Sequence, residues 1–165
     1  MEKSSRAAVG RGRRAATSKD AIALLKADHR QVEKWFKEFK KARVATRKAS
    51  LAREICGALR VHTTIEEEIF YPAFLAATAD EDLHHEAEVE HDGAKKLIAL
   101  IESAGPADEY FDARVTVLSE MIKHHVKEEE QPGGMFAEAR KSDMDLELLG
   151  QRMQARKAQL ERRDA

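Results

Sequence analysis

Six residues of this chain have the types and spacing to hold a pair of metal ions. His62 is followed four positions later by Glu66, and His125 by Glu129. Residues four apart are neighbours on a helix surface, about 5–6 Å between Cβ atoms, so such a pair can converge on one ion. His29 precedes His62 by almost the same interval as His91 precedes His125. Asp28-His29 is echoed by Glu90-His91, and His62-x-x-x-Glu66-Glu67 by His125-x-x-x-Glu129-Glu130. Two duplicated halves thus supply four imidazoles and two carboxylates able to bridge, the stoichiometry of a two-metal site. Imidazole with carboxylate suits Fe, Mn, Zn or Cu. Without a thiolate cluster a structural zinc site is disfavoured, and bridging carboxylates favour a redox pair, iron first. Two divalent ions against two carboxylates leave positive charge, which favours a bound oxo or hydroxo group. Open positions then remain for a small molecule.

These residues need helices to position them, and the apolar pattern supplies them. Ile22, Leu25, His29, Val32, Phe36 and Phe39 recur at steps of three and four, the period of one helix face. Ser18 or Asp20 can cap that helix. A second helix is predicted over about 48–77, with Leu51, Ile55, Leu59, His62, Glu66, Ile69 and Ala73 on its seam. Pro72 should kink or end it. A third, about 80–103, aligns Ala87, His91, Ala94, Ile98 and Ile101, and Gly105-Pro106 breaks the chain after it. A fourth, about 107–131, aligns Val115, Leu118, Ile122, His125 and Glu129, and Pro132-Gly133-Gly134 closes it. A short helix near 135–141 precedes a last one, about 143–163, with Ser142 as its cap and Leu146, Leu149, Met153 and Leu160 as its stripe.

Every long helix of the first four therefore carries a histidine on its core seam, and two carry a glutamate there. Ionised glutamate on a buried face is costly unless neutralised, and bound cations neutralise it. His124-x-x-x-Glu128 has the same spacing as His125-x-x-x-Glu129, but Leu118 and Ile122 line up with His125. His84 lies roughly 10 Å along the axis from His91. His84, His85 and His124 are therefore read as lying behind the ligands or on the surface, and Glu67 and Glu68 as a solvated face.

Composition narrows the class. The chain has 165 residues, enough for one domain, and 42% of them are hydrophobic. Its 29 Lys and Arg against 30 Asp and Glu give a net charge of −1, which argues against a globally basic nucleic-acid binder. One cysteine, Cys56, excludes an internal disulfide framework. Three Pro and eight Gly leave little turn chemistry for a many-stranded fold. No apolar run is long enough to span a membrane, and no secretory signal is legible, so a cytoplasmic location is expected. Six basic residues against Glu2 make residues 1–19 a basic tail with little to bury.

The segments Asp28-His29-x-x-Val32, His62-x-x-x-Glu66-Glu67 followed by Tyr71-Pro72, Glu90-His91 and His125-x-x-x-Glu129-Glu130 resemble the hemerythrin-like HHE cation-binding domain over about residues 20–140. The resemblance implies a four-helix bundle around a non-haem di-iron centre, with His29, His62, His91 and His125 as terminal ligands and Glu66 and Glu129 as bridges. It implies oxygen, nitric oxide or peroxide chemistry, or iron sensing or storage. Reversible oxygen carriers of the family have His-x-x-x-His on the third helix, whereas the positions flanking His91 are Ala87 and Lys95. Glu88 or a water is the expected substitute. The family's Tyr-Pro-like closure after the fourth helix is replaced by Pro132-Gly133-Gly134.

The expected fold is all-α: a disordered basic tail over 1–19, an up-down-up-down four-helix bundle of hemerythrin-like kind over 20–140, and an additional helix over 141–165 packed on the bundle or at an interface. The expected function is a di-iron protein, oxo- or hydroxo- and carboxylate-bridged, that reacts with oxygen, nitric oxide or peroxide, including catalase-like peroxide consumption. The alternative is a non-enzymatic iron or oxygen sensor or an iron store. No residue is singled out as catalytic. Expected partners are small diatomic ligands or peroxide, with a homodimer through the last helix as a further expectation. Neither membrane nor nucleic acid is expected. A ferritin-like carboxylate site is disfavoured, because its Glu-x-x-His motif occurs on the seam only once, at Glu88 to His91.

Overall fold

A computed structural model describes residues 19–164 of the chain. The basic tail, apart from Lys19, and Ser18, one of the two expected caps, lie outside these residues. The elements are α1 (Ala21–Lys41), α2 (Ala45–Ile65), a π-helical segment (Glu66–Phe70), α3 (Tyr71–Thr78), α4 (Glu81–Ala104), α5 (Phe111–Glu130), α6 (Met135–Lys141) and α7 (Leu146–Asp164). Asp20 caps α1 by accepting the Ala23 amide at 2.8 Å, and Asp80 caps α4 by accepting that of Leu83 at 3.1 Å. α1 lies against α2 and α5, and α4 against α5 and α2, the four-helix bundle expected from the periodicity. α7 runs along α1 and α2. Among the described residues no helix is long and apolar enough to cross a membrane.

The interior is layered. One apolar cluster contains Phe36, Phe39, Leu51, Ile55, Leu59, Ile98, Phe111 and Leu118. The other contains Ile22, Leu25, Ile65, Phe70, Tyr71, Phe74, Met135, Phe136, Leu149 and Met153. His29, His62, Glu66, His91, His125 and Glu129, all buried, occupy seam positions between these clusters. A polar layer is thus sealed above and below by hydrocarbon.

Two sequence expectations are corrected. Ile69 and Ala73 are only half-buried, and Phe70, Tyr71 and Phe74 take the core instead. The cause is the π segment, whose Tyr71 amide bonds back to the Glu66 carbonyl five residues earlier. Pro72 has no amide hydrogen to continue an α-helical ladder. One residue is inserted, the helix continues, and the seam slips by one position. Ser142 does not cap α7. Its hydroxyl donates to the Ala139 carbonyl at the end of α6, and Asp145 accepts the Leu148 amide at 3.0 Å.

α7 reaches α1 closely because residue 150 is glycine. A Cβ there would lie 2.5 Å from the Lys19 carbonyl oxygen and 2.8 Å from the Ala21 nitrogen, both backbone atoms. Leu149 and Met153 on either side are buried in the second cluster, so the α7 stripe is used within the chain.

Candidate metal centre

The structure brings all six sequence-derived residues into one layer, in two adjoining groups. His29, His62, Glu66 and Glu129 offer donor atoms within 4.8 Å of one another, and so do Glu66, His91 and His125. The carboxylates straddle the groups. Glu66 directs Oε1 at His62 Nε2 (3.2 Å) and Oε2 at His91 Nε2 (3.1 Å). Glu129 directs Oε2 at His29 Nε2 (3.3 Å) and Oε1 at His125 Nε2 (3.3 Å). The i,i+4 spacing of Glu66 and Glu129 from His62 and His125 produces this arrangement directly.

The outer ring nitrogens fix the inner ones. His29 Nδ1 meets Glu130 at 2.7 Å, His62 Nδ1 meets Asp28 at 3.4 Å, His91 Nδ1 meets Glu67 at 2.9 Å and His125 Nδ1 meets Glu90 at 2.6 Å. Each Nδ1 donates its hydrogen to a carboxylate, which turns Nε2 inward, where it offers a lone pair whenever it carries no proton. The pattern explains the echoes in the sequence. Asp28 serves His62 as Glu90 serves His125, and Glu130 serves His29 as Glu67 serves His91. Glu67 is therefore not simply part of a solvated face; Glu68, which is, pairs with Arg156.

Two observations bear on whether a cation fits. His29 and His62 bring their Nε2 atoms to 3.2 Å, as do His91 and His125. Lone pairs at that distance repel unless a positive charge lies between them. Glu66 Oε1 and Glu129 Oε2 are fully buried, and among the described residues each faces an imidazole nitrogen, His62 Nε2 at 3.2 Å and His29 Nε2 at 3.3 Å, so neither carboxylate is neutralised by water. Protons supply some of the charge in the structure as it stands. Burial opposes a charged His29, but hydrogen bonds to Glu129 and Glu130 raise its pKa above the ordinary value. Burial likewise opposes a charged His62 and His125, and Glu66 and Glu129 respectively outweigh it and raise both. Burial disfavours ionised Glu66 and Glu129, yet the surrounding imidazoles hold both below the usual carboxylate range. A site that takes up protons against burial in this way is one that metal cations can fill in their place.

Tyr71 was not among the site residues expected from the sequence. Its hydroxyl lies 3.2 Å from Glu66 Oε2, 3.0 Å from Glu129 Oε1 and 3.1 Å from His91 Nε2. Five residues of α-helix would carry Tyr71 about 140° away from Glu66. The π turn instead stacks residues five apart, and Tyr71 falls beside Glu66. Pro72 was the signal that could have located it. Burial and the two carboxylates push the phenol pKa well up, so the hydroxyl keeps its proton and donates. The expected substitute, Glu88, is exposed and faces His84 at 3.6 Å, away from the layer. Lys95 is bound to Glu67, His124 is exposed, and His84 stands behind the Tyr71 ring.

The two halves consequently differ. Tyr71 closes the His91 and His125 half. Beside His29 the neighbour is the ring of Phe136, stacked parallel at 5.8 Å, which offers no donor. A small cavity adjoins all four imidazoles, with Val32, Leu59, Ile122 and Val126 in its walls.

The sequence profile of the hemerythrin HHE cation-binding domain matches residues 20–132. The crystal structure of a hemerythrin HHE cation-binding domain-containing protein from Mycobacterium kansasii has the same fold, with a TM-score of 0.70, 24% identity and 86% of each chain covered. No curated protein matches the sequence.

Proposed function

Because this chain belongs to the hemerythrin HHE cation-binding domain family, we propose that its buried layer holds two iron ions and reacts with oxygen, nitric oxide or peroxide. In this reading His29 and His62 are terminal ligands of one ion and His91 and His125 of the other. Glu66 and Glu129 would each present one oxygen to either ion. The observation that carries the reading is the pair of fully buried carboxylates, each offering one oxygen to either half and facing an imidazole nitrogen with both.

When bound, an iron pair supplies one-electron redox steps and Lewis acidity towards a small ligand. The chain supplies the rest. Asp28, Glu67, Glu90 and Glu130 hold the Nδ1 hydrogens and so keep each Nε2 aimed inward. Tyr71 holds a proton between Glu66 Oε2 and Glu129 Oε1, at the only half it reaches. The small cavity beside the imidazoles, walled by Val32, Leu59, Ile122 and Val126 together with Asp28 and Thr63, suits a small uncharged molecule. Phe136 cannot donate a hydrogen bond, so the His29 and His62 half is where an incoming ligand meets least competition.

Reversible carriage is disfavoured, because the position of the additional histidine is taken by Ala87 and Lys95, and Lys95 is tied to Glu67. Stopped-flow mixing of the diferrous protein with oxygen tests this. Oxidation without a long-lived adduct is expected, and the oxidised protein is expected to consume added peroxide. A stable adduct, fully reversed when oxygen is removed, would restore the carrier reading.

A further inference from the structure

Each of the four outer carboxylates is itself held by a further side chain. Glu130 binds Arg30 at 2.5 Å, Glu67 binds Lys95 at 2.6 Å, Glu90 binds His124 at 3.2 Å, and Asp28 binds Lys157. The first three partners come from α1, α4 and α5, helices of the bundle itself. Lys157 comes from α7, beyond residues 20–132 that the family profile covers. Asp28 gives one oxygen to Lys157 and the other to His62 Nδ1. Of the four Nδ1 contacts that of His62 is the longest, 3.4 Å against 2.6–2.9 Å for the others. It is also the one whose carboxylate is held from outside the four-helix bundle.

α7 is anchored well enough to do this. Gly150 lets it touch the backbone at the start of α1, and Met153 is fully buried one turn before Lys157. Arg156 adds a two-pronged pair with Glu68 on the π segment, at 2.6 and 2.8 Å. Consecutive residues of α7 thus grip the segment that carries Glu66 and the carboxylate that backs His62.

We infer that Lys157 is a positioning residue of the metal centre: α7 acts as a strap that holds Asp28 against His62 and so sets metal affinity in the His29 and His62 half. The inference rests on the reading of the layer as a two-metal site. Lys157 touches no ligand of the metal itself and acts through Asp28.

Titration of the metal-free, full-length protein with Co2+, followed by its visible bands and by calorimetry, tests both claims separately. Wild type is expected to take two ions. Lys157→Met keeps the aliphatic stem and removes the charge. It should weaken one of the two binding steps about tenfold and leave the other in place, as removal of a partner behind a metal-bound histidine does. Lys157→Arg should restore the weakened step. In an Asp28→Asn background Lys157→Met should have no further effect, because the path runs through Asp28. Wild-type affinity for both ions in Lys157→Met, equal weakening of both steps, or an additive loss on top of Asp28→Asn would each overturn the strap. Failure of the wild type to bind Co2+ at all would overturn the two-metal reading beneath it.

Discussion

Replacing Tyr71 with Phe removes one oxygen from the buried layer and leaves the ring that fills the core. The phenol is 1% exposed, and its hydroxyl stands 3.0–3.2 Å from two ionised carboxylates and one imidazole. A hydroxyl has one hydrogen, so it satisfies one carboxylate at a time. A hydrogen bond to a charged group contributes about 1.5–3 kcal/mol, and an unpaired buried carboxylate cannot recover that from water. The ring contributes equally in both proteins, so the whole difference belongs to the hydroxyl. For a chain of this size each kcal/mol shifts the melting temperature by about 2–4 °C, which gives a fall of about 3–12 °C for the metal-free variant. Thermal denaturation of both metal-free proteins, followed by helical circular dichroism, measures it. An unchanged or raised melting temperature would refute the argument, since it would mean that the carboxylates do not need this donor.

Further outcomes follow from the same structure. Met153→Ala opens a cavity beneath α7 at a fully buried position and should cost about 2–5 kcal/mol in urea denaturation. Metal uptake at neutral pH should release protons, measurable as acid production in weakly buffered solution, because His29, His62 and His125 are raised and a ligating nitrogen must lose its proton. In the metal-free protein the raised histidines stabilise the fold fully below their unfolded value of 6.5, and His62 loses this contribution as pH rises through about 10. The lowered Glu66 contributes above its unfolded value of 4.5 and loses its contribution as pH falls towards about 2. Melting temperature against pH should therefore be greatest between about 4.5 and 6.5.

The positions of His29, His62, His91 and His125 were legible because each is separated from apolar neighbours by three or four residues, and a helix turns that spacing into one face. Glu66 and Glu129 were legible for the same reason. Tyr71 was not, because its place depends on a π turn, and the seam read through Ile69 and Ala73 assumed unbroken α-helix. The partners of the outer nitrogens were illegible on different grounds. Glu130 reaches His29 across the bundle, and Lys157 reaches Asp28 from a helix more than a hundred positions along the chain. No periodicity within one helix encodes such pairings. The duplicated Asp28-His29 and Glu90-His91 did carry a trace of them, as acidic residues beside histidines, but each acid serves the histidine of the next helix. Even the cap of α7 was misplaced, because the spacing assigned Ser142 where the later helix start makes Asp145 the cap.

The claim that two ions share this layer is tested most directly by an anomalous difference map, recorded at the iron edge from crystals of the iron-loaded protein. Two peaks are expected, one bounded by His29 and His62 and the other by His91 and His125, with Glu66 and Glu129 between them. A single peak, or none within the layer, would contradict the account.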